Sequence, residues 1–157
     1  MVGGKRHGKG TYLSSQFTYE GEYSNGLKSG FGVLKATDHS NYTGGFAFDK
    51  KEGEGEFKMA NGDNYKGAWK DDKKNGKGKY SFMNGTVYEG DYLLGAKHGI
   101  GSLTFPDGSI KSGQFMNDKM EGNNDGCCCT PEFYFYLIDP LFLLKPYRQG
   151  YANFAFR

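Results

Sequence analysis

Cysteine, proline, histidine and tryptophan are scarce in these 157 residues, at three, four, three and one. The cysteines stand together at 127–129, which excludes a disulfide framework and makes a reducing, cytoplasmic setting the expectation. Charge of one sign is missing too: 20 basic side chains meet 18 acidic ones, and residues 1–126 hold 17 against 16. No nucleic-acid footprint follows from such a balance. The longest apolar run, residues 133–144, is broken by Asp139-Pro140 and falls short of the roughly twenty residues a spanning helix needs. The amino terminus carries no apolar signal segment, and its Met-Val start lacks the glycine that myristoylation requires.

Glycine and aromatics, by contrast, are plentiful and in phase. Tyr19, Tyr42, Tyr65 and Tyr88 recur every 23 residues, each opening a Tyr-x-Gly triplet that ends at Gly21, Gly44, Gly67 and Gly90. Lys111 and Gly113 continue the step after the tyrosine has lapsed. Four places after each triplet start stands another aromatic: Tyr23, Phe46, Trp69, Tyr92 and Phe115. A second comb is Gly-x-Gly, at 30/32, 53/55, 76/78 and 99/101, with an offset copy at Gly8/Gly10 and a decayed one at Gly122. A third is Asn61-Gly62, Asn84-Gly85 and Asp107-Gly108, with Asp38-His39 at the same place in the first full unit. These combs take 19 of the 26 glycines, so the glycine is periodic and not low-complexity.

Alternation within each unit is that of strands. Tyr65, Gly67 and Trp69 share one side, with Asn64, Lys66 and Ala68 on the other; Gly76, Gly78, Tyr80 and Phe82 alternate likewise. Each unit is therefore expected to be a β-hairpin, with Asn-Gly as a two-residue type I′ turn into the next strand. The predicted fold is all-β: an elongated, single-layer antiparallel meander without a large central core. A glycine inside a strand is unfavourable by roughly 0.5–1 kcal/mol relative to alanine. A ring from a neighbouring strand laid over the bare backbone would offset that, since one aromatic buries roughly 150–250 Å².

Tyr-x-Gly, an aromatic two residues on, Gly-x-Gly and Asp/Asn-Gly on a 23-residue pitch resemble the MORN repeat. On that pattern residues 1–18 form a partial unit, 19–41, 42–64, 65–87 and 88–110 four full ones, and 111–126 a degenerate one. The resemblance implies a twisted hairpin array that is not itself catalytic. It implies scaffolding or partner binding, often near membranes, cytoskeleton or cilia, or a regulatory piece of a larger enzyme such as a phosphatidylinositol phosphate kinase or a methyltransferase.

Catalysis finds little support in the side chains, and neither a cofactor nor a metal is expected. His7 and His98 occupy a slot that elsewhere holds Ser29, Glu52, Asn75 and Glu121, which reads as a solvated turn. No phosphate-binding Gly-x-x-x-x-Gly-Lys-Ser/Thr occurs. Glu20, Glu22, Glu54, Glu56, Glu89 and Asp91 fall on the polar strand faces, where a perturbed carboxylate is hard to build.

Binding is the stronger expectation. Tyr19, Tyr23, Tyr42, Phe46, Tyr65, Trp69, Tyr88, Tyr92 and Phe115 would share one face of a single layer and meet a protein partner, for instance a helix laid in a groove. The competing reading is that these rings are consumed in covering glycine. A rival surface is electrostatic: Lys70, Lys73, Lys74, Lys77 and Lys79 as a site for anionic phospholipid. Exposed sheet edges make a homodimer a further expectation. Residues 127–157, apolar and aromatic-rich with three prolines, break the pattern. They read as a cover for the aromatic face or last edge, as a shallow anchor for which the cysteines could be acylated, or as sequence introduced by alternative splicing.

Overall fold

The computed structural model describes residues 3–121. The readings made for residues 127–157 lie outside the described residues. Eleven strands follow one another: β1 (Gly8–Leu13), β2 (Phe17–Ser24), β3 (Leu27–Ala36), β4 (Asn41–Ala47), β5 (Lys50–Lys58), β6 (Asn64–Lys70), β7 (Lys73–Ser81), β8 (Val87–Leu93), β9 (Ala96–Thr104), β10 (Ile110–Met116) and β11 (Lys119–Met120). They form a single open sheet in strictly sequential order, antiparallel throughout. The all-β hairpin array expected from the alternation is what these residues adopt.

Register explains the glycines. Gly21 lies opposite Gly32, Gly32 opposite Gly44, Gly44 opposite Gly55, and the line continues through Gly67, Gly78, Gly90 and Gly101 to Gly113. A trench of bare backbone thus crosses the sheet, and the tyrosine rings fill it. A β-carbon at Gly21 would sit 2.5 Å from Tyr19 Oη, and one at Gly101 would sit 2.5 Å from Tyr88 Oη. Each ring covers one glycine on its own strand and another on the strand paired to it, so only half of the covering comes from a neighbouring strand.

The two glycines of Gly-x-Gly have different work. The second floors the trench, while the first carries positive φ, as at Gly53 (75°) and Gly76 (87°). There the register slips: Gly44 pairs with Gly55, but Phe46 pairs with Lys51, so Gly45 alone faces Glu52, Gly53 and Glu54. This is a β-bulge, which bends the bulged strand and raises its twist. Ser29, Glu52, Asn75 and His98 of that slot belong to these bulges and are half-buried, which corrects their reading as a solvated turn, whereas His7 and Glu121 are exposed.

The turns also differ from expectation. Two-residue turns with positive φ at both positions do occur, but within the units: Phe48-Asp49 (50° and 69°), Asp71-Asp72 (49° and 65°) and Leu94-Gly95 (52° and 100°). That is the type I′ signature. At Asn61-Gly62 only the glycine has positive φ, at 90°. Gly62 N–H donates to Met59 O (3.0 Å) and Met59 N–H to Asp63 O (2.8 Å), closing a three-residue loop with glycine at its left-handed position. The asparagine serves through its side chain, since Asn61 Oδ1 accepts from Asp63 N–H at 3.0 Å.

Candidate partner-binding face

The nine comb aromatics come together on one face and interlock. Tyr23 meets Tyr19 at 5.3 Å between ring centroids, Tyr19 meets Phe46 at 5.1 Å, and Phe46 meets Tyr42 at 5.1 Å. The chain of rings continues through Trp69 (5.4 Å), Tyr65 (5.2 Å), Tyr92 (5.1 Å), Tyr88 (5.4 Å) and Phe115 (4.9 Å). Every step is edge-to-face, the arrangement the aromatic quadrupole favours. None of the nine exposes more than 6% of its surface. Their area is spent within the sheet, so what a partner could touch on this face is supplied by their neighbours.

Hydroxyls lock the first aromatic of each unit. Tyr19 Oη donates to Glu22 O (3.0 Å), Tyr42 to Gly45 O (2.9 Å), Tyr65 to Ala68 O (2.9 Å) and Tyr88 to Asp91 O (3.1 Å). Burial pushes the phenols of Tyr19 and Tyr88 up to about 12 and those of Tyr42 and Tyr65 higher still. The second aromatic is less well served: Trp69 Nε1–H reaches Gly55 O at 3.3 Å, while Tyr23 Oη and Tyr92 Oη are buried without a hydrogen-bond partner among the described residues.

A row of cations covers the rings. Lys28, Lys51, Lys74 and Lys97 lie directly across from Tyr23, Phe46, Trp69 and Tyr92. Lys51 Nζ stands 4.6 Å from the Phe57 ring, 5.0 Å from Trp69 and 5.3 Å from Tyr42; Lys74 Nζ stands 4.5 Å from Tyr80, 5.3 Å from Tyr65 and 5.4 Å from Tyr92. Lys28 and Lys97 repeat the placement, and Arg6 lies over Tyr12 and Tyr23. Each is a cation–π contact. Burial lowers the pKa of Lys51, with Asp72 opposing it, and burial lowers that of Lys74. This row escaped the sequence reading, although its 23-residue period was there to be found.

Beside the cations runs an apolar row of half-buried Leu34, Phe57, Tyr80 and Leu103; the first three lie opposite tyrosines of both adjoining strands, and Leu103 lies opposite Tyr88 and Lys111. Tyr80 Oη donates to Asp63 Oδ2 at 2.8 Å, and burial together with that bond raises the phenol to about 12.

The lysines proposed for phospholipid do not converge. Lys74 belongs to the aromatic face, whereas Lys77 and Lys79 project from the opposite one and are ion-paired with Asp91 (2.9 Å) and Glu89 (2.7 Å). Lys70 and Lys73 flank the Asp71-Asp72 turn, exposed. Adjacent residues in a strand point to opposite sides, so a lysine-rich run divides between faces. Among the described residues no group of three or more His, Cys, Asp or Glu is placed to hold a metal.

Successive units are tied turn to turn. Lys51 N–H donates to Asp72 Oδ1 (2.9 Å) and Asp72 N–H donates to Lys51 O (3.2 Å). Asp49 and Asp118 hold Lys28 and Lys97 in the same way. The face is therefore built on a rigidly phased backbone.

Comparison with known proteins agrees with this architecture. The family model described as MORN repeat matches residues 1–16, 19–40, 42–64, 65–87, 88–110 and 112–123. No curated protein matches the chain.

Proposed function

The chain belongs to the MORN repeat family, and from that premise we propose that it is a non-catalytic scaffold binding a protein partner on its aromatic face. The observation that carries this reading is the pairing of two accessible rows on one open layer, half-buried apolar side chains beside half-buried cations, above a ladder of fixed rings. An open face with such rows suits a partner segment laid along it. We place the scaffold in the cytoplasm on its cysteine usage, and at a membrane or cytoskeletal surface as the family resemblance implies. The rival phospholipid reading is weakened by the ion pairs that occupy Lys77 and Lys79.

Affinity capture from cell extract tests the assignment when run with three forms of the chain. Leu34→Glu with Leu103→Glu places charge on the apolar row; Phe31→Ser with Ile100→Ser alters the opposite face, where both residues are exposed. Loss of captured protein in the first variant alone is the expected result. Equal capture by all three forms, or loss confined to the second variant, overturns the assignment.

A further inference from the structure

The face turned away from the rings carries a pattern of its own. The residue between the glycines of each Gly-x-Gly is Phe31 in β3, Glu54 in β5, Lys77 in β7 and Ile100 in β9, and all four are exposed. Phe31 and Ile100 expose 59% and 73% of their surface. Val33, Glu56, Lys79 and Ser102 follow two residues on, on the same face of the same strands. In strand order the first row is apolar, acidic, basic, apolar, and β6 lies at its midpoint. Single exposed apolar residues are ordinary, but here two stand at equal distances from β6 with opposite charges set between them.

Those charges are not paired with one another within the sheet. Two strand intervals, about 9.6 Å, separate β5 with its carboxylates from β7 with its ammonium groups. Lys77 turns instead to Asp91 at 2.9 Å and Lys79 to Glu89 at 2.7 Å, with side chains still 82% and 54% exposed. An ammonium group has three donors, so each can take a second carboxylate from outside. A second sheet turned over about an axis along β6 presents its strands in reverse order. Phe31 then falls on Ile100 of that copy, Glu54 on Lys77 and Glu56 on Lys79, and twofold symmetry makes every contact twice. Asp91 and Glu89 come over Gly45 and Thr43, and Glu22 and Glu20 come over Gln114 and Ser112, so none of these carboxylates meets another. Lys66, on β6 itself, meets its own counterpart, with Glu56 directly across from it on β5. Keeping the strand order would set Glu54 on Glu54 and Lys77 on Lys77.

We propose that two copies of this chain pair through their polar faces with strand order reversed, Glu54 and Glu56 of each meeting Lys77 and Lys79 of the other and Phe31 meeting Ile100 at both ends. The aromatic faces are left outward, so the inference goes beyond the protein-binding reading and does not depend on it. Charge pairs across an interface select orientation and register more than they add affinity. Apolar contact is confined to the Phe31 and Ile100 ends, so the dimer is one that concentration controls and salt weakens.

Sedimentation velocity of the full chain over a concentration series tests it, with near-UV circular dichroism confirming the fold of every variant. The parent should pass from monomer to dimer as concentration rises. Glu54→Lys with Glu56→Lys should raise the dissociation constant about tenfold or more, and so should Lys77→Glu with Lys79→Glu, because each sets like charges against like at both copies of the contact. Mixed in equal amounts, these two variants should form a heterodimer, in which every lysine of the contact again faces a glutamate. Lys5→Glu with Lys111→Glu makes the same change of net charge at exposed positions outside β3 to β9. That variant should dimerise as the parent does and should not pair with Glu54→Lys, Glu56→Lys. A parent that stays monomeric throughout the series overturns the proposal. So does a dimer indifferent to both reversals, as pairing at the sheet edges would give, and so do two reversed variants that remain apart when mixed.

Discussion

The ring of Tyr65 lies over Gly78 so closely that a β-carbon at 78 would fall 2.5 Å from both Cε2 and Oη. The ring has no room to retreat, since it is held between Trp69 and Tyr92 and its hydroxyl is bonded to Ala68 O. Gly78→Ala should therefore destabilise the protein by about 2 kcal/mol, in the range of overpacked cores. Gly10 occupies the same comb in the partial unit, yet there the nearest atom to an added β-carbon is Tyr23 Cε2 at 3.6 Å, an ordinary contact. Gly10→Ala should be neutral or stabilising by up to about 1 kcal/mol. Urea denaturation of the two variants checks the contrast.

Hydroxyl deletion should divide the tyrosines by position in the unit. Tyr65→Phe removes the bond to Ala68 O and leaves a partly buried carbonyl short of that partner, at about 1 kcal/mol. Tyr92→Phe removes an Oη that is buried with no partner among the described residues and should be neutral or stabilising by up to about 1 kcal/mol. The order of thermal midpoints, Tyr92→Phe at or above the parent and Tyr65→Phe below it, is the test.

What the sequence disclosed depended on whether each role restricts residue choice. Gly21, Gly44, Gly67 and Gly90 cannot be replaced beneath a ring, so the trench was legible as a comb, and with it the strands and the unit length. The Asp71-Asp72 and Phe48-Asp49 turns carry no glycine, so their positive φ was hidden while Asn61-Gly62 drew the type I′ reading on residue type alone. Lys51 and Lys74 stand beside Lys50 and Lys73, and such pairs look like solvated turns until strand alternation sends one of each over the rings. Burial of the comb aromatics was not legible either, because a ring used inside a sheet and a ring offered to a partner have the same sequence signature.

His39 is the exception in its comb. It has φ of 69° at the place where Gly62, Gly85 and Gly108 have 90°, 85° and 83°. A β-carbon is unfavourable in that region by roughly 1–2 kcal/mol. The His39 side chain is exposed, so little packing is lost by removing it. His39→Gly should raise stability by roughly 0.5–1 kcal/mol, after the entropy that glycine adds to the unfolded chain is subtracted. A rise in the urea midpoint with an unchanged slope is the expected observation.

Asp72 ties the third full unit to the second, through a carboxylate on Lys51 N–H and its own amide on Lys51 O. Asp72→Ala should cost about 1–2 kcal/mol, combining a lost hydrogen bond with alanine at a φ of 65°. Asp72→Asn keeps an acceptor and a residue tolerant of that φ, and should stay within about 0.5 kcal/mol of the parent. Stability in a repeat array is carried by nearest-neighbour interfaces. Hydrogen exchange in Asp72→Ala should accordingly quicken first at the Lys51 amide and its surroundings, with β1 and β2 unaffected.

Alkaline pH should unfold the array steeply. The phenols of Tyr19, Tyr80 and Tyr88 are raised to about 12, and those of Tyr42, Tyr65 and Tyr92 further, burial being the largest cause in every case. In the unfolded chain these groups ionise near 10. Above that pH the unfolded state holds fewer protons than the folded one, so stability falls as pH rises. It is fully present below 10 and is lost between 10 and the folded-state values, by up to about 1.4 kcal/mol per pH unit for each tyrosine. Circular dichroism and the ring resonances of Tyr42 and Tyr65 followed together should change in one cooperative step, because a buried ring cannot ionise before its strand opens. Tyr65→Phe should shift that step to higher pH relative to the variant's own neutral-pH stability. Tyr42 or Tyr65 titrating gradually near 10 with the sheet signal intact would show that these rings are reached by solvent in the folded state, and the ladder would then not be the core of this protein.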